Sequence, residues 1–343
     1  MPSKKIKKTI KPTTIITPNK YVKIPLVGVI IFSLLLATSS FFAGITWLKI
    51  NNNDTNTSSN SKITFEAEKT NKPELKFFVM SFCPYGNQME DTLKPVVNLL
   101  SKVVDIRPQY IFSKITNLSD YCKQTSGDVT QCAAYIQAGY FQTEAECQKI
   151  VIDGNKKCND EKNYLKIGNN FYSSLHGRVE ANQDVREICA YNMSDDKTNW
   201  WTFVDNVNIN CTYQNADTCW EEQAKKANFD TAKITECFNK QAGEIMDKEI
   251  AITDQYKVQS SPTLIINGVN FPPETASTQD GKGSLKIGKK TFTQDKFYTA
   301  DVIKEAICAS FKKTPKECKT ILADAVATTE TAAADSGAGC ATQ

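Results

Sequence analysis

Residues 24–48 (IPLVGVIIFSLLLATSSFFAGITWL) form a run of 25 positions without a charge. As a helix this run is roughly 37 Å long, enough for a ~30 Å hydrocarbon core. It predicts a transmembrane helix over 24–48, preceded by a basic tail at 1–23, with Trp47 at the outer interface. Residues 51–62 (NNNDTNTSSNSK) have almost nothing to bury and predict a flexible linker, expected over 49–72. From 73 the pattern changes. Residues 75–82 (LKFFVMSF) are a compact apolar run that predicts a buried strand. Met89, Leu93, Val96, Val97, Leu99, Leu100 and Val103 keep a helical rhythm over 87–103, in which Pro95 is expected to kink or divide the helix. Residues 105–112 (DIRPQYIF) predict a second strand, so the three elements make a βαβ unit with a right-handed crossover.

Residues 114–258 read differently, as a mostly helical, polar, cysteine-rich insert. Within it 219–238 (CWEEQAKKANFDTAKITECF) predicts two short amphipathic helices joined at Asn228-Phe229-Asp230, with Asp230 capping the second. In such an antiparallel hairpin Cys219 and Cys237 meet and are expected to pair. Strand character returns at 262–267 (PTLIIN), with Gly268 as a turn and a hairpin partner in 269–271 or in 285–292. Residues 300–311 predict a last amphipathic helix, with Thr299 as its cap. The expected class is therefore α/β, a domain over 73–320 in the order βαβ, helical insert, ββα. The remainder, 321–343, is poor in large apolar residues and reads as a disordered tail that nonetheless carries Cys340.

Charge sharpens the topology. The net charge is +3, of which eight lysines in 1–50 account for +8, leaving −5 for 51–343. Seven of those lysines precede the apolar run and only Lys49 follows it before Asp54, so the N-terminus is expected in the cytoplasm and the C-terminal domain outside. A cleaved signal peptide is the rival reading, but the run continues past the small residues Ser39, Ser40, Ala43 and Gly44. A mildly acidic bulk excludes a basic nucleic-acid face. His176 is the single histidine, and no two cysteines lie closer than 8 residues. Neither multi-histidine nor zinc-knuckle sites fit, and no metal or cofactor is expected. Twelve cysteines outside the cytoplasm are expected mainly as disulfides.

The chemistry-bearing motif is Cys83-Pro84-Tyr85-Gly86, a cysteine after an apolar strand and at the mouth of a helix. Helix N-terminal amides stabilise negative charge, so a thiol there ionises more easily, and Pro84 suits the first helical turn. Far away stands Ser261-Pro262-Thr263, where a cis Ser261–Pro262 bond would leave backbone groups beside Cys83 free to bind an extended peptide. FFVMSFCPYGNQ (77–88) and VQSSPTLIING (258–268), separated by a helical insert, resemble the thioredoxin-like superfamily, in particular its disulfide-oxidoreductase (DsbA-like) branch. The resemblance implies a fold over about 73–320, Cys83 as the attacking thiol and Pro262 as the cis-proline opposite it. The pattern departs at Gly86, where such enzymes carry the second cysteine of C-x-x-C. Over about 186–320 the spacing of Cys189, Trp200-Trp201, Cys211, Cys219, Cys237, Pro262-Thr263-Leu264, Cys308 and Cys318 also resembles the luminal thioredoxin-like part of plant vacuolar sorting receptors, which implies peptide binding without turnover.

The remaining cysteines read as structural: Cys219–Cys237 and Cys308–Cys318, with neighbour pairings Cys122–Cys132, Cys147–Cys158 and Cys189–Cys211. Cys83 and Cys340 are left over. Cys340 is then a candidate resolving thiol, or equally an intermolecular bridge or the attachment of a partner. His176 reads as a loop or capping residue, and Trp200-Trp201 as insert core. The expected function is thiol–disulfide exchange on exported proteins or peptides through Cys83. A non-catalytic peptide-binding module is the alternative, and a redox partner docking to a membrane oxidoreductase is a third.

Overall fold

The structure is a computed structural model that describes residues 63–160, 163–195, 197–323 and 340–341. The chain divides into two units, Met1–Thr57 and Ser58–Gln343, and every described residue belongs to the second. The expected span at 24–48 and its basic tail lie outside the described residues. Among those described, no helix is long and apolar enough to cross a membrane.

The first element corrects the linker expected over 49–72. Ile63-Thr64-Phe65 alternates apolar and polar and forms β1 (Ile63–Phe65), with Phe65 buried edge-on against Phe271 at 5.2 Å between ring centroids. Next, β2 (Glu74–Val79) buries Leu75, Phe77, Phe78 and Val79 completely, as a strand covered on both faces does. It stops at Val79 because the chain turns there, the Cys83 amide donating to Met80 O at 3.0 Å. Helix α1 (Pro84–Leu100) then buries Met89, Leu93, Val96, Val97 and Leu100, and it passes Pro95 undivided. Strand β3 (Asp105–Tyr110) pairs parallel to β2 with Phe77 opposite Pro108.

The insert is less purely helical than its pattern implied. It contains β4 (Ser113–Ile115), α2 (Leu118–Ser126), α3 (Cys132–Gln137), α4 (Glu144–Asp160), β5 (Leu165–Ile167) and β6 (Asn170–Ser173). The three strands form an antiparallel sheet in the order β4-β6-β5, and strands this short carry no readable period. Helices α5 (Arg178–Met193), α6 (Thr198–Asn210), α7 (Ala216–Lys226) and α8 (Thr231–Tyr256) complete it. Asp230 caps α8 by accepting from the Ala232 amide at 2.9 Å, but α8 runs 26 residues rather than forming a short hairpin arm.

After the insert come β7 (Ser260–Ser261), β8 (Thr263–Ile266), β9 (Val269–Phe271), β10 (Ser284–Ile287), β11 (Lys290–Thr293) and α9 (Ala300–Ala309). Of the two possible hairpin partners for β8, β9 is the one used. Strands β10 and β11 form a second hairpin, which β1 joins in parallel. The central sheet has the order β3-β2-β8-β9, with β8 antiparallel to both neighbours, and α9 packs on α1. A βαβ unit followed by ββα on one sheet is the thioredoxin-like arrangement.

All twelve cysteines are paired, and four of the expected pairings are corrected. Cys219 bonds Cys211, and Cys237 bonds Cys189, instead of Cys219–Cys237 and Cys189–Cys211. The length of α8 explains this. Cys237 lies in its second turn facing α5, whereas Cys219 near the start of α7 reaches back to the residue that ends α6. Cys189–Cys237 closes a separation of 48 residues, and a cross-link of that span stabilises by about 4 kcal/mol in the chain-entropy picture. Likewise Cys122 bonds Cys158 and Cys132 bonds Cys147, instead of Cys122–Cys132 and Cys147–Cys158. Helix α4 returns along α2 and α3, so the bridges nest like the rungs of a hairpin. Cys308 and Cys318 are joined to each other.

Candidate functional site

Cys83 occupies the N-cap of α1, with extended backbone (φ −75°, ψ 116°), and Pro84 takes the first helical position. Its sulfur is fully buried among Phe78, Met80, Ile111, Val258 and Ile265, with Tyr85 partly covering it. Opposite lies the Ser261–Pro262 turn, whose peptide bond is cis. The Cys83 sulfur is 3.5 Å from Ser261 O, and Ser261 Oγ accepts from the Met80 amide at 3.3 Å. Thr263 locks the turn, its hydroxyl donating to Ser260 O at 2.7 Å. Pro262 itself is half-buried and has no amide hydrogen to offer a neighbour.

The remaining ligand of this centre comes from the far end of the chain. Cys340 bonds Cys83 with 6.0 Å between their Cα atoms, across a separation of 257 residues. Cys340 and Ala341 form β12 (Cys340–Ala341), antiparallel to β7, with Cys340 opposite Ser261 and Ala341 opposite Ser260. This corrects the expectation of a tail disordered over its whole length: these two residues lie in the groove beside Cys83.

Gly86 has a structural reason. A Cβ there would stand 2.7 Å from Ser261 Oγ, closer than side chains tolerate. The Ser261 turn thus rests directly on α1, in space that a second cysteine of a C-x-x-C pair would need. Gly86→Ala should therefore lower stability by about 1–2 kcal/mol in denaturant unfolding, although alanine favours a helix interior by up to ~1 kcal/mol. Adding Ser261→Gly should restore most of the loss, and a Gly86→Ala protein as stable as the parent would disprove the close approach.

Sequence reasoning missed the acidic floor beneath the site. Glu180, Asp184 and Glu187 are fully buried on α5. Asp184 Oδ1 accepts from the Ser81 amide (2.9 Å) and hydroxyl (2.6 Å), and Glu180 Oε1 from the Phe82 amide (2.9 Å). The two residues before Cys83 are thereby held by carboxyls from the insert. Burial, with the neighbouring Glu180 charge adding, pushes Asp184 well above the usual carboxylate range. Glu187 accepts from Tyr110 Oη at 2.6 Å, and burial pushes it up to about 7. His176 keeps the loop place expected of it. Its amide donates to Glu180 Oε2 at 2.8 Å and its ring stacks on Tyr213 at 4.7 Å. The spacing 180, 184, 187 is a signal, but in an ordinary polar helix it marks a solvated face. A cavity of about 250 Å³ adjoins the centre, sharing Met80, Ile111 and Leu175 with the packing around the disulfide.

Compared with known families, residues 108–279 match the vacuolar sorting receptor thioredoxin-like domain. The chain belongs to that family. The matched stretch of this vacuolar sorting receptor thioredoxin-like domain begins and ends earlier than the expected 186–320. It includes the Ser261–Pro262 turn and the acidic helix α5, and it leaves out Cys83 and Cys340. No curated protein sequence matches the chain. Among solved structures, Chlamydia trachomatis DsbA is similar over 63% of this chain and 88% of its own, at 8% identity and a TM-score of 0.33. A putative protein disulfide isomerase from Nitrosomonas europaea is similar over 65% and 88%, at 11% identity and a TM-score of 0.32. Reduced DsbA from Mycobacterium tuberculosis is similar over 62% and 81%, at 13% identity and a TM-score of 0.31.

Proposed function

We propose that the chain is a membrane-anchored thioredoxin-like protein that performs thiol–disulfide exchange on exported proteins outside the cytoplasm. Cys83 attacks and Cys340 resolves. The observation that carries this reading is the Cys83–Cys340 disulfide, set at a helix N-terminus beside the Ser261–Pro262 turn. In the reduced protein the Cys83 thiolate attacks a substrate disulfide, forms a mixed disulfide and releases one substrate thiolate. The Cys340 thiolate then attacks the Cys83 sulfur and releases the second. Two electrons pass to the substrate, and the Cys83–Cys340 bond is left. No cofactor is needed. Ser260 and Ser261 offer the main-chain groups with which an extended substrate would pair, in the register that Cys340 and Ala341 occupy. The anchor at 24–48, the lysine asymmetry and the pairing of all twelve cysteines support placement in an oxidising exterior.

Cys340→Ser tests the whole reading. Intact cells carrying this variant are treated with a disulfide reagent that cannot cross the membrane. A mixed disulfide on Cys83 should accumulate in the membrane fraction, while the parent, first reduced with an impermeant dithiol that is then washed away, releases the reagent's thiol and returns to its internal disulfide. Adducts that form only after lysis would overturn the orientation. A peptide-binding module without turnover is the second reading, favoured by the family match, which covers the groove residues 258–268 but not Cys83. Its mark is a protein that binds extended peptides yet never forms the adduct.

A further inference from the structure

The two sulfurs of the Cys83–Cys340 bond are not equivalent. Cys83 is fully buried, walled by the Phe78–Met80–Ile111 side and by the Ser261 carbonyl 3.5 Å away. Cys340 is partly exposed. An entering thiolate needs a path to the sulfur it attacks, and only Cys340 offers one.

Leaving-group chemistry points the same way. Exchange is faster when the departing thiolate is the better stabilised one. Cys83 departs at the N-cap of a 17-residue helix, where unpaired amides and the macrodipole favour the anion. Cys340 departs from a two-residue strand with no such support. As a nucleophile a helix-cap thiol gains less. Lowering a pKa from ~8.5 to ~6.5 raises the thiolate fraction at pH 7 about 25-fold, but intrinsic nucleophilicity falls about tenfold.

The size of the attacking molecule is limited too. The backbone positions of Ser260 and Ser261 that a polypeptide strand would use are already paired with Ala341 and Cys340.

We infer that the resting disulfide is opened at the Cys340 sulfur by a small thiol or dithiol donor, with Cys83 as the leaving group. The tail cysteine is thus the port through which reducing electrons enter, while Cys83 is the thiol that faces polypeptide substrates. This rests on the exchange reading above. In the step, a donor thiolate attacks Cys340 Sγ. The Cys83–Cys340 bond breaks, a donor–Cys340 disulfide forms, and Cys83 leaves as thiolate. The second donor thiolate closes the donor's own disulfide and releases Cys340 as thiolate. Two electrons pass from donor to protein, and both protein thiols are free to take up protons.

The test uses the full chain in detergent, in its oxidised form, with glutathione as a monothiol probe. A brief exposure is quenched with acid, free thiols are alkylated, and the tryptic peptides 77–102 and 320–343 are mapped. At the shortest times glutathione should be found on Cys340 and the alkyl group on Cys83, in at least tenfold excess over the reverse labelling. Glutathione on Cys83, equal labelling, or no labelling of either peptide would each overturn the inference. The exchange reading is judged separately on Cys340→Ser, which has no resting disulfide to open. Failure of one therefore does not imply failure of the other.

Discussion

Replacing Cys83 with serine is expected to bring exchange with a disulfide substrate down to the uncatalysed background. A serine hydroxyl supplies no thiolate at neutral pH and cannot hold a mixed disulfide, so both halves of the cycle are lost. The other five disulfides do not involve Cys83 and should stay closed. Cys340→Ser is the control for stability, because both variants lose the same 257-residue cross-link. They should therefore unfold at similar denaturant concentrations yet differ in chemistry, Cys340→Ser completing the first attack and Cys83→Ser none. The measurement is the rate of thiol release from a fluorescent disulfide peptide, with the parent, Cys83→Ser and Cys340→Ser pre-reduced. The alkylation rate of Cys340→Ser against pH should in addition place the Cys83 thiol below the ~8.5 of a free cysteine. Thiol release by Cys83→Ser at the parental rate would assign the chemistry to another sulfur.

The parts of this arrangement that sequence made legible are those with local signals. The apolar run ending in Cys83-Pro84, the helical rhythm after it and the Ser261-Pro262-Thr263 strand start each occupy a few adjacent residues, and each lands on β2, α1 or β8. What sequence did not make legible depends on distant packing. Disulfide partners are set by which helices lie side by side, so the length of α8 decided Cys189–Cys237 and the return of α4 decided Cys122–Cys158. The carboxyls of α5 were hidden for a related reason. That helix has an apolar face at Ala181, Val185 and Ile188, and its other, polar face reads as solvated. Glu180, Asp184, Glu187 and Gln183 are interior because the Ser81–Phe82 amides, Tyr110 and one another supply hydrogen bonds to them. A two-residue strand such as β12 has no pattern to read at all.

Four buried carboxyls, Asp184 and Glu187 on α5, Glu90 on α1 and Glu249 on α8, predict that the folded domain gains stability on mild acidification. Tyr110, at the end of β3, lies between two of them: its hydroxyl donates to Glu187 and its amide donates to Glu249 Oε2 at 2.9 Å. Burial pushes both acids from the ordinary 4.5 up to about 7. Glu90 and Asp184 are displaced in the same direction, chiefly by burial. Below their ordinary values, 4.5 for the three glutamates and 3.8 for Asp184, these groups are protonated in folded and unfolded chains alike, and they contribute no pH dependence. Between about 4.5 and 7 the unfolded chain has lost protons that the folded protein keeps, so raising the pH favours unfolding by about 1.4 kcal/mol per group per unit. Above about 7 Glu187 and Glu249 are ionised in both states and their loss is complete, on the order of 3 kcal/mol each. Asp217 acts in the opposite sense but elsewhere. Burial pushes it up, yet its hydrogen bonds to Asn182 and Arg186 and the guanidinium charges of Arg186 and Arg178 outweigh that and hold it below the ordinary 3.8, so its contribution is lost only under more acidic conditions. With no free thiol to reshuffle, a thermal scan of the oxidised protein reads this balance directly. The melting temperature should fall by roughly 5–15 °C from pH 5 to pH 7.5. Glu187→Gln with Glu249→Gln should roughly halve the dependence by removing two of the four protons, Glu90 and Asp184 keeping theirs, since each amide oxygen can still accept from Tyr110. A parental melting temperature that is constant or rises over this range would show that these carboxyls are ionised in the folded protein.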